Sequence, residues 1–187
     1  FAVFFDDRRP DGLGRDFFKA VAETVFPRLN RPGLTPVLTL EGGGVLATDD
    51  GWIDLVQSYG CRMAGLVWNG KNPLATGAIT DDGAPLTPLG REAVFELIRR
   101  RIAVDVSHLS AAGTEEILSI TSAPIAASHS NAKAVHNHLR NLSDSVAKEI
   151  FRRGGVVGLN LYPEFLAKEN ASVDDLLRHA DHFLCLG

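Results

Sequence analysis

The chain has 187 residues, 45% of them hydrophobic, and a formal net charge of −4, which is enough apolar content for one sizeable core and offers no single-sign block to grip nucleic acid or an anionic membrane. No run reaches the roughly 20 apolar residues of a membrane helix, and the opening FAVFFDD lacks the features of a signal peptide. Cys61 and Cys185 lack CxxC spacing, which argues against a disulfide framework or a thiolate zinc site and points to a cytoplasmic chain with a small-molecule or peptide partner, a homo-oligomer being left open.

In chain order the apolar runs FAVFF, PVLTLE, RMAGLVWN, IAVDVSH, PIAASH and VVGLNLY read as strands buried on both faces. Between and after them lie amphipathic segments that predict helices over Asp16–Leu29, Ile53–Tyr59, Pro88–Arg101, Thr114–Ile120, Asp144–Arg153 and Val173–Leu186. Ser143 or Asp144 can cap the fifth of these, and Ser172 precedes an acidic first turn, VDDLL, that suits the positive end of a helix dipole. Asp81-Asp82-Gly83 reads as a turn within a long loop from Gly70 to Thr87.

This β-α alternation predicts an α/β fold with a parallel sheet. A doubly wound sheet is the alternative, but no GxGxxG follows an early strand. The favoured reading is a (β/α)8 TIM-type barrel, of which about six strand-helix units are present. Residues 1–187 would then form a single catalytic barrel domain lacking the first strand and the last strands. The chain starts at Phe1 and its only Met is Met63, so its start reads as a break inside a larger protein. The segment alone is expected to be poorly soluble and inactive.

Barrel strands deliver their C-terminal residues to one pocket. Two strands end on the same pair, Ser107-His108 and Ser128-His129, and a third ends on Glu41 before three glycines. Neighbouring strands lie about 4.8 Å apart, so two imidazoles and a carboxylate at these ends could share one metal ion. Such a set with a water is common in catalytic zinc sites. Asp105 has the opposite strand parity to His108, so a regular strand would turn it toward the helix layer and a helix arginine.

The motifs EGG, WNGKNPLA, LTPLGREAV, VDVSHLS, ASHSNAKAVHNHLRNLSD and GGVVGLNLYPEFL together resemble successive signatures of the membrane (renal) dipeptidase family, zinc-dependent dipeptidases with an amidohydrolase-like barrel. The resemblance implies two zinc ions in a complete enzyme and hydrolysis of dipeptides. Glu41 resembles the carboxylate that bridges both metals, and His108 and His129 resemble ligands of the second. Arg140 resembles the arginine that holds the substrate carboxylate, a role its planar fork suits; the other reading of Arg140 is a surface pair with Asp144. Tyr162 resembles a pocket-lining tyrosine, and Trp68-Asn69 falls where some members place a substrate-contacting His before Asn.

The family's His-x-Asp pair before Glu41 and its late Asp are absent from this sequence, so the ligands present imply at most one zinc and no proton shuttle. Two other readings stay open: a non-catalytic barrel with a partial metal site, and a related amidohydrolase acting on lactones or cyclic amides. His136 and His138 read as solvated or hydrogen-bonding, and His179 and His182 as non-ligands.

Overall fold

The computed structural model describes residues 2–4, 19–29, 32–33, 36–47, 51–80 and 82–187. Six strands form one sheet in the order of the sequence: β1 (Ala2–Phe4), β2 (Leu38–Glu41), β3 (Cys61–Gly65), β4 (Ala103–Asp105), β5 (Ile125–Ala127) and β6 (Val156–Val157). Every neighbouring pair is parallel. A doubly wound sheet reverses its strand order at a switch point. This sheet steps in one direction throughout, which is the winding of a TIM-type barrel.

Helices cover the crossovers. α1 (Phe26–Leu29) continues a π-helical turn, Val21–Val25, and is followed by α2 (Gly51–Ser58), α3 (Pro88–Arg99), α4 (Ala111–Ile120), α5 (Asp144–Arg152), α6 (Pro163–Leu166) and α7 (Val173–Leu186). Residues Asp16 to Phe18 of the first predicted helix, Phe1 and Phe5 of the first predicted strand, and Asp81 of the predicted turn lie outside the described residues. The starts follow local chemistry. Thr87, Ser110 and Ser143 each turn a hydroxyl to accept a backbone N–H three residues on, and Ser172 forms a reciprocal capping box with Asp175. Ser110 therefore starts α4 three residues before the Thr114 expected from its apolar pattern. The short α6 was missed, although Pro163 at its first position is a start signal.

The core lies between sheet and helices. Leu38, Leu40, Ala64, Val104 and Ile125 of the strands are at most 1% exposed. They pack in one cluster with Val56, Val94, Leu97, Ile117 and Ile150, the inward stripes of the helices. Each large aliphatic side chain buried this way contributes about 1.5–3 kcal/mol.

The strands are shorter than the apolar runs suggested, because their polar tails leave the ladder. After β4, the Asp105 carboxylate takes the N–H of Ser107, and His108 adopts a left-handed φ of 72°. After β6, Asn131 on the neighbouring loop replaces a strand partner: its side chain accepts the Asn160 N–H at 3.0 Å and donates to the Asn160 carbonyl at 2.9 Å. β6 reaches β5 closely enough that a Cβ on Gly158 would stand 2.1 Å from the Ser128 carbonyl oxygen.

Candidate metal centre

Glu41 ends β2 and is followed by Gly42 at φ 80°, a left-handed turn that lets the chain leave the sheet at once. His108 and His129 follow the ends of β4 and β5. The three side chains converge: Glu41 Oε1 lies 2.8 Å from His108 Nε2 and 3.2 Å from His129 Nε2. The imidazole centroids are 4.9 Å apart, and one ligand atom from each residue lies within 4.8 Å of the others. Glu41 and His108 are buried and His129 is partly exposed, which leaves one open side.

The outer nitrogens are engaged. His108 Nδ1 is 3.0 Å from Asn69 Oδ1, an atom that can only accept, so His108 carries its proton there and turns a bare Nε2 toward Glu41. His129 Nδ1 is 2.7 Å from Ser128 Oγ. Glu41 Oε1, though close to both imidazoles, has no partner in hydrogen-bond alignment. Acceptor atoms thus face one another in a buried space, an arrangement that a cation relieves. Two metal–ligand bonds of about 2.0–2.1 Å meeting tetrahedrally span roughly 3.3 Å between donor atoms, close to the 3.2 Å seen here. One oxygen and two nitrogen donors converging on one space suit a divalent metal ion.

Charge supports the same picture. Burial raises the Glu41 pKa, but at acid pH the protonated imidazoles of His108 and His129 beside it lower it further, to about 2, so the carboxyl ionises while both rings still carry their charge. Burial lowers the His108 pKa, and the nearby positive charge of Arg140 lowers it further, against the pull of Glu41. At neutral pH an ionised carboxylate therefore meets a neutral imidazole, the forms in which both bind metal.

Arg140 is not on the surface. It is 3% exposed, its guanidinium stacks 5.4 Å above the Phe165 ring, and its Nε and Nη2 have no hydrogen-bond partner among the described residues. Asp144, its alternative partner in the sequence, instead pairs with His182 at 2.8 Å. Burial pulls the Arg140 pKa down to about 10, against the attraction of Glu41 and Asp105. A buried cation with two idle donors beside an acidic cluster is arranged to receive an anion. Tyr162 is half exposed, with its ring 4.9 Å from Phe165. Trp68 is half exposed, 6.2 Å from the His108 ring. Asn69, expected at the substrate, meets His108.

One expectation is overturned. Asp105 does not face a helix arginine; it is buried at the end of β4, and its carboxylate accepts from Ser107 N, Ser128 N and Ser128 Oγ. The parity argument fails because the strand stops at Asp105 and the chain turns before His108. Asn131 and Asn141 were also missed. Asn141 donates to the carbonyls of His136 and Phe165, and so ties the Arg140 loop to the segment carrying Phe165. His136 and His138 form hydrogen bonds to backbone, as expected. His179 is fully buried between the Ala132 N–H and the Leu166 carbonyl, a structural role. No helix among the described residues is long and apolar enough to cross a membrane.

The chain is similar to known proteins in sequence and in fold. A family model described as "Membrane dipeptidase (Peptidase family M19)" matches residues 23–186. An uncharacterised dipeptidase of Schizosaccharomyces pombe is 36% identical over 134 residues, covering 68% of this chain and 32% of its own length. A metallo peptidase from Rhodobacter sphaeroides, solved with a phosphinate mimic of the dipeptide L-Ala-D-Ala, superposes with a TM-score of 0.70 at 32% identity, over 80% of this chain and 46% of that one. An amidohydrolase from Pseudomonas aeruginosa shares the fold at 24% identity, with a TM-score of 0.74 over 100% of this chain and 53% of its own. The chain spans 32–51% of the length of four curated relatives that it matches.

Proposed function

The chain belongs to the membrane dipeptidase family, and from that premise we propose that the complete protein carrying it hydrolyses dipeptides with a metal-activated water. The observation that carries this reading is the convergence of Glu41, His108 and His129 beside a buried arginine whose Nε and Nη2 lack partners. These three residues would hold one zinc ion, and a complete site of this kind would take two. When bound, the metal supplies Lewis acidity and makes water nucleophilic near neutral pH.

The rest of the work falls to the chain. Arg140 receives the carboxylate of the dipeptide in a bidentate contact, strengthened by the low exposure of its guanidinium. Phe165, stacked on Arg140, and Tyr162 beside it form an apolar flank for the adjoining substrate side chain. Trp68 screens His108 from bulk water on the loop side. Asn69 holds the His108 ring with Nε2 directed inward. The free thiols of Cys61 and Cys185 suit a reducing compartment such as the cytoplasm.

The test is the purified complete protein that carries this segment, assayed for bound metal by elemental analysis and for hydrolysis of a dipeptide panel that includes D-residues at the C-terminal position. We expect bound zinc, hydrolysis abolished by chelation and restored by zinc, and no turnover of N-acetylated amides lacking a free carboxylate. Turnover of lactones or cyclic amides without dipeptides, or metal binding with no hydrolysis, would overturn it.

A further inference from the structure

The repeated Ser-His pairs are not used alike, and the difference assigns a role to Asp105. Among the described residues the Asp105 carboxylate only accepts: Oδ1 takes the N–H groups of Ser107 and Ser128, each at 2.9 Å, and Oδ2 takes the Ser128 hydroxyl. A serine hydroxyl has one proton; the Asp105 carboxylate is the nearer and charged acceptor, Ser107 Oγ lying 3.4 Å away, so the proton goes to the carboxylate. Ser128 Oγ, 2.7 Å from His129 Nδ1, is therefore an acceptor toward the imidazole. The backbone N–H of His129 is anchored in the same network, donating to Ser107 Oγ at 3.0 Å.

We propose that Asp105 and Ser128 form a two-link hydrogen-bond relay that positions His129, keeping its ring proton on Nδ1 and its Nε2 bare toward Glu41. The inference rests on the metal-site reading above for its consequence, though not for its geometry. Asp105 touches neither the metal position nor the substrate; it is a positioning residue acting through Ser128. His108 receives the same service from a neutral amide, Asn69, on the exposed loop after β3. The two imidazoles thus differ in kind: one is set by a buried carboxylate fixed to the sheet, the other by a loop. Partners that orient a metal-binding histidine typically account for 10- to 100-fold in metal affinity.

The relay has a direction, and Asp105→Asn reverses it. An asparagine keeps one oxygen for the Ser107 and Ser128 N–H groups but places an NH2 where Oδ2 was. That group donates to Ser128 Oγ, whose own proton then swings to His129 Nδ1 and forces the ring proton onto Nε2, the nitrogen that must be bare. A triad aspartate changed to asparagine fails by the same tautomer logic.

Two measurements on the complete protein that carries this segment test this. The first is the His129 tautomer in the metal-free protein, read from long-range 1H–15N correlations. Wild type and Ser128→Thr, which retains the hydroxyl, should carry the proton on Nδ1, and Asp105→Asn on Nε2. The second is zinc affinity by chelator competition, expected to fall 10- to 100-fold in Asp105→Asn, to fall in Ser128→Ala, and to stay within about threefold of wild type in Ser128→Thr. A wild-type ring protonated on Nε2 overturns the relay, as does wild-type zinc affinity in Asp105→Asn. A zinc loss that Ser128→Thr shares, accompanied by a lower metal-free melting temperature, assigns Asp105 to the fold instead. If Asp105→Asn does not fold, the wild-type spectrum and the Ser128 pair still decide. A wild type that binds no zinc defeats the metal-site reading alone, because the tautomer spectra judge the relay without metal.

Discussion

Arg140→Met separates function from stability at a single position. In the folded chain the guanidinium is 3% exposed, with Nε and Nη2 unpartnered, and each buried donor left unsatisfied costs about 1–3 kcal/mol. Two such donors set a native-state cost of roughly 2–6 kcal/mol. Against this stand the stacking on Phe165, worth about 0.5–2 kcal/mol, and the attraction of Glu41 and Asp105, which offsets part of the burial. Methionine follows the arginine stem and needs no hydrogen bond. The variant should therefore be at least as stable as wild type, with a melting temperature unchanged or raised by about 2–4 °C for each kcal/mol gained. It should also lose the substrate carboxylate, a charge-assisted contact of about 1.5–3 kcal/mol, or roughly 10- to 150-fold in KM. Differential scanning calorimetry without substrate, paired with steady-state kinetics on a dipeptide, checks both halves. A lower melting temperature would mean that the guanidinium holds the fold together, and an unchanged KM would mean that the carboxylate binds elsewhere; either result refutes the reasoning.

Gly158→Ala should lower stability by about 1–3 kcal/mol, because its Cβ would sit 2.1 Å from the Ser128 carbonyl oxygen and push β6 away from β5; an unchanged urea midpoint would contradict this. Arg153→Met should lose at least about 2 kcal/mol without altering zinc affinity. Its guanidinium donates to the Leu118 and Thr121 carbonyls at the end of α4, far from the Glu41 cluster in the fold, and urea titration beside chelator competition reads the two effects separately.

What was legible in the sequence was local or periodic. Continuous apolar runs announced all six strands, and Ser143 and Ser172, read as helix starts, turn their hydroxyls to the N–H three residues on, as Thr87 and Ser110 also do without having been read. Glu41, His108 and His129 could be found because a barrel sends its strand ends to one place. Illegible were contacts between distant segments made by side chain to backbone. Asn131 reaches the Asn160 carbonyl across 29 residues, Asn141 the Phe165 carbonyl across 24, and Asp105 accepts the Ser128 N–H across 23. None of these leaves a spacing that a sequence can display. Strand parity misled at Asp105 because it presumes a ladder continuing to His108, and the Asp105 carboxylate itself helps to end that ladder by taking the Ser107 N–H.

The two Ser-His pairs look like one device used twice, and the geometry argues otherwise. In the second pair Ser128 meets the ring of its own neighbour, His129. In the first, Ser107 does nothing for the His108 ring; its Oγ accepts the backbone N–H of His129 on the next strand. Both serines and Asp105 therefore serve His129, while His108 depends on Asn69 and on the Ala78 N–H, which holds its carbonyl at 2.7 Å and so helps to fix the left-handed turn. Parallel strands make this asymmetry unavoidable. Successive strand ends point the same way but are staggered by the sheet twist, so a side chain leaving β4 reaches across to β5, whereas β4 must find its own support on the opposite side, from the loop after β3. Identical dipeptides on adjacent parallel strands thus occupy unequal environments. A metal held between them would be gripped by one imidazole set by a carboxylate on the sheet and one set by an amide on a loop.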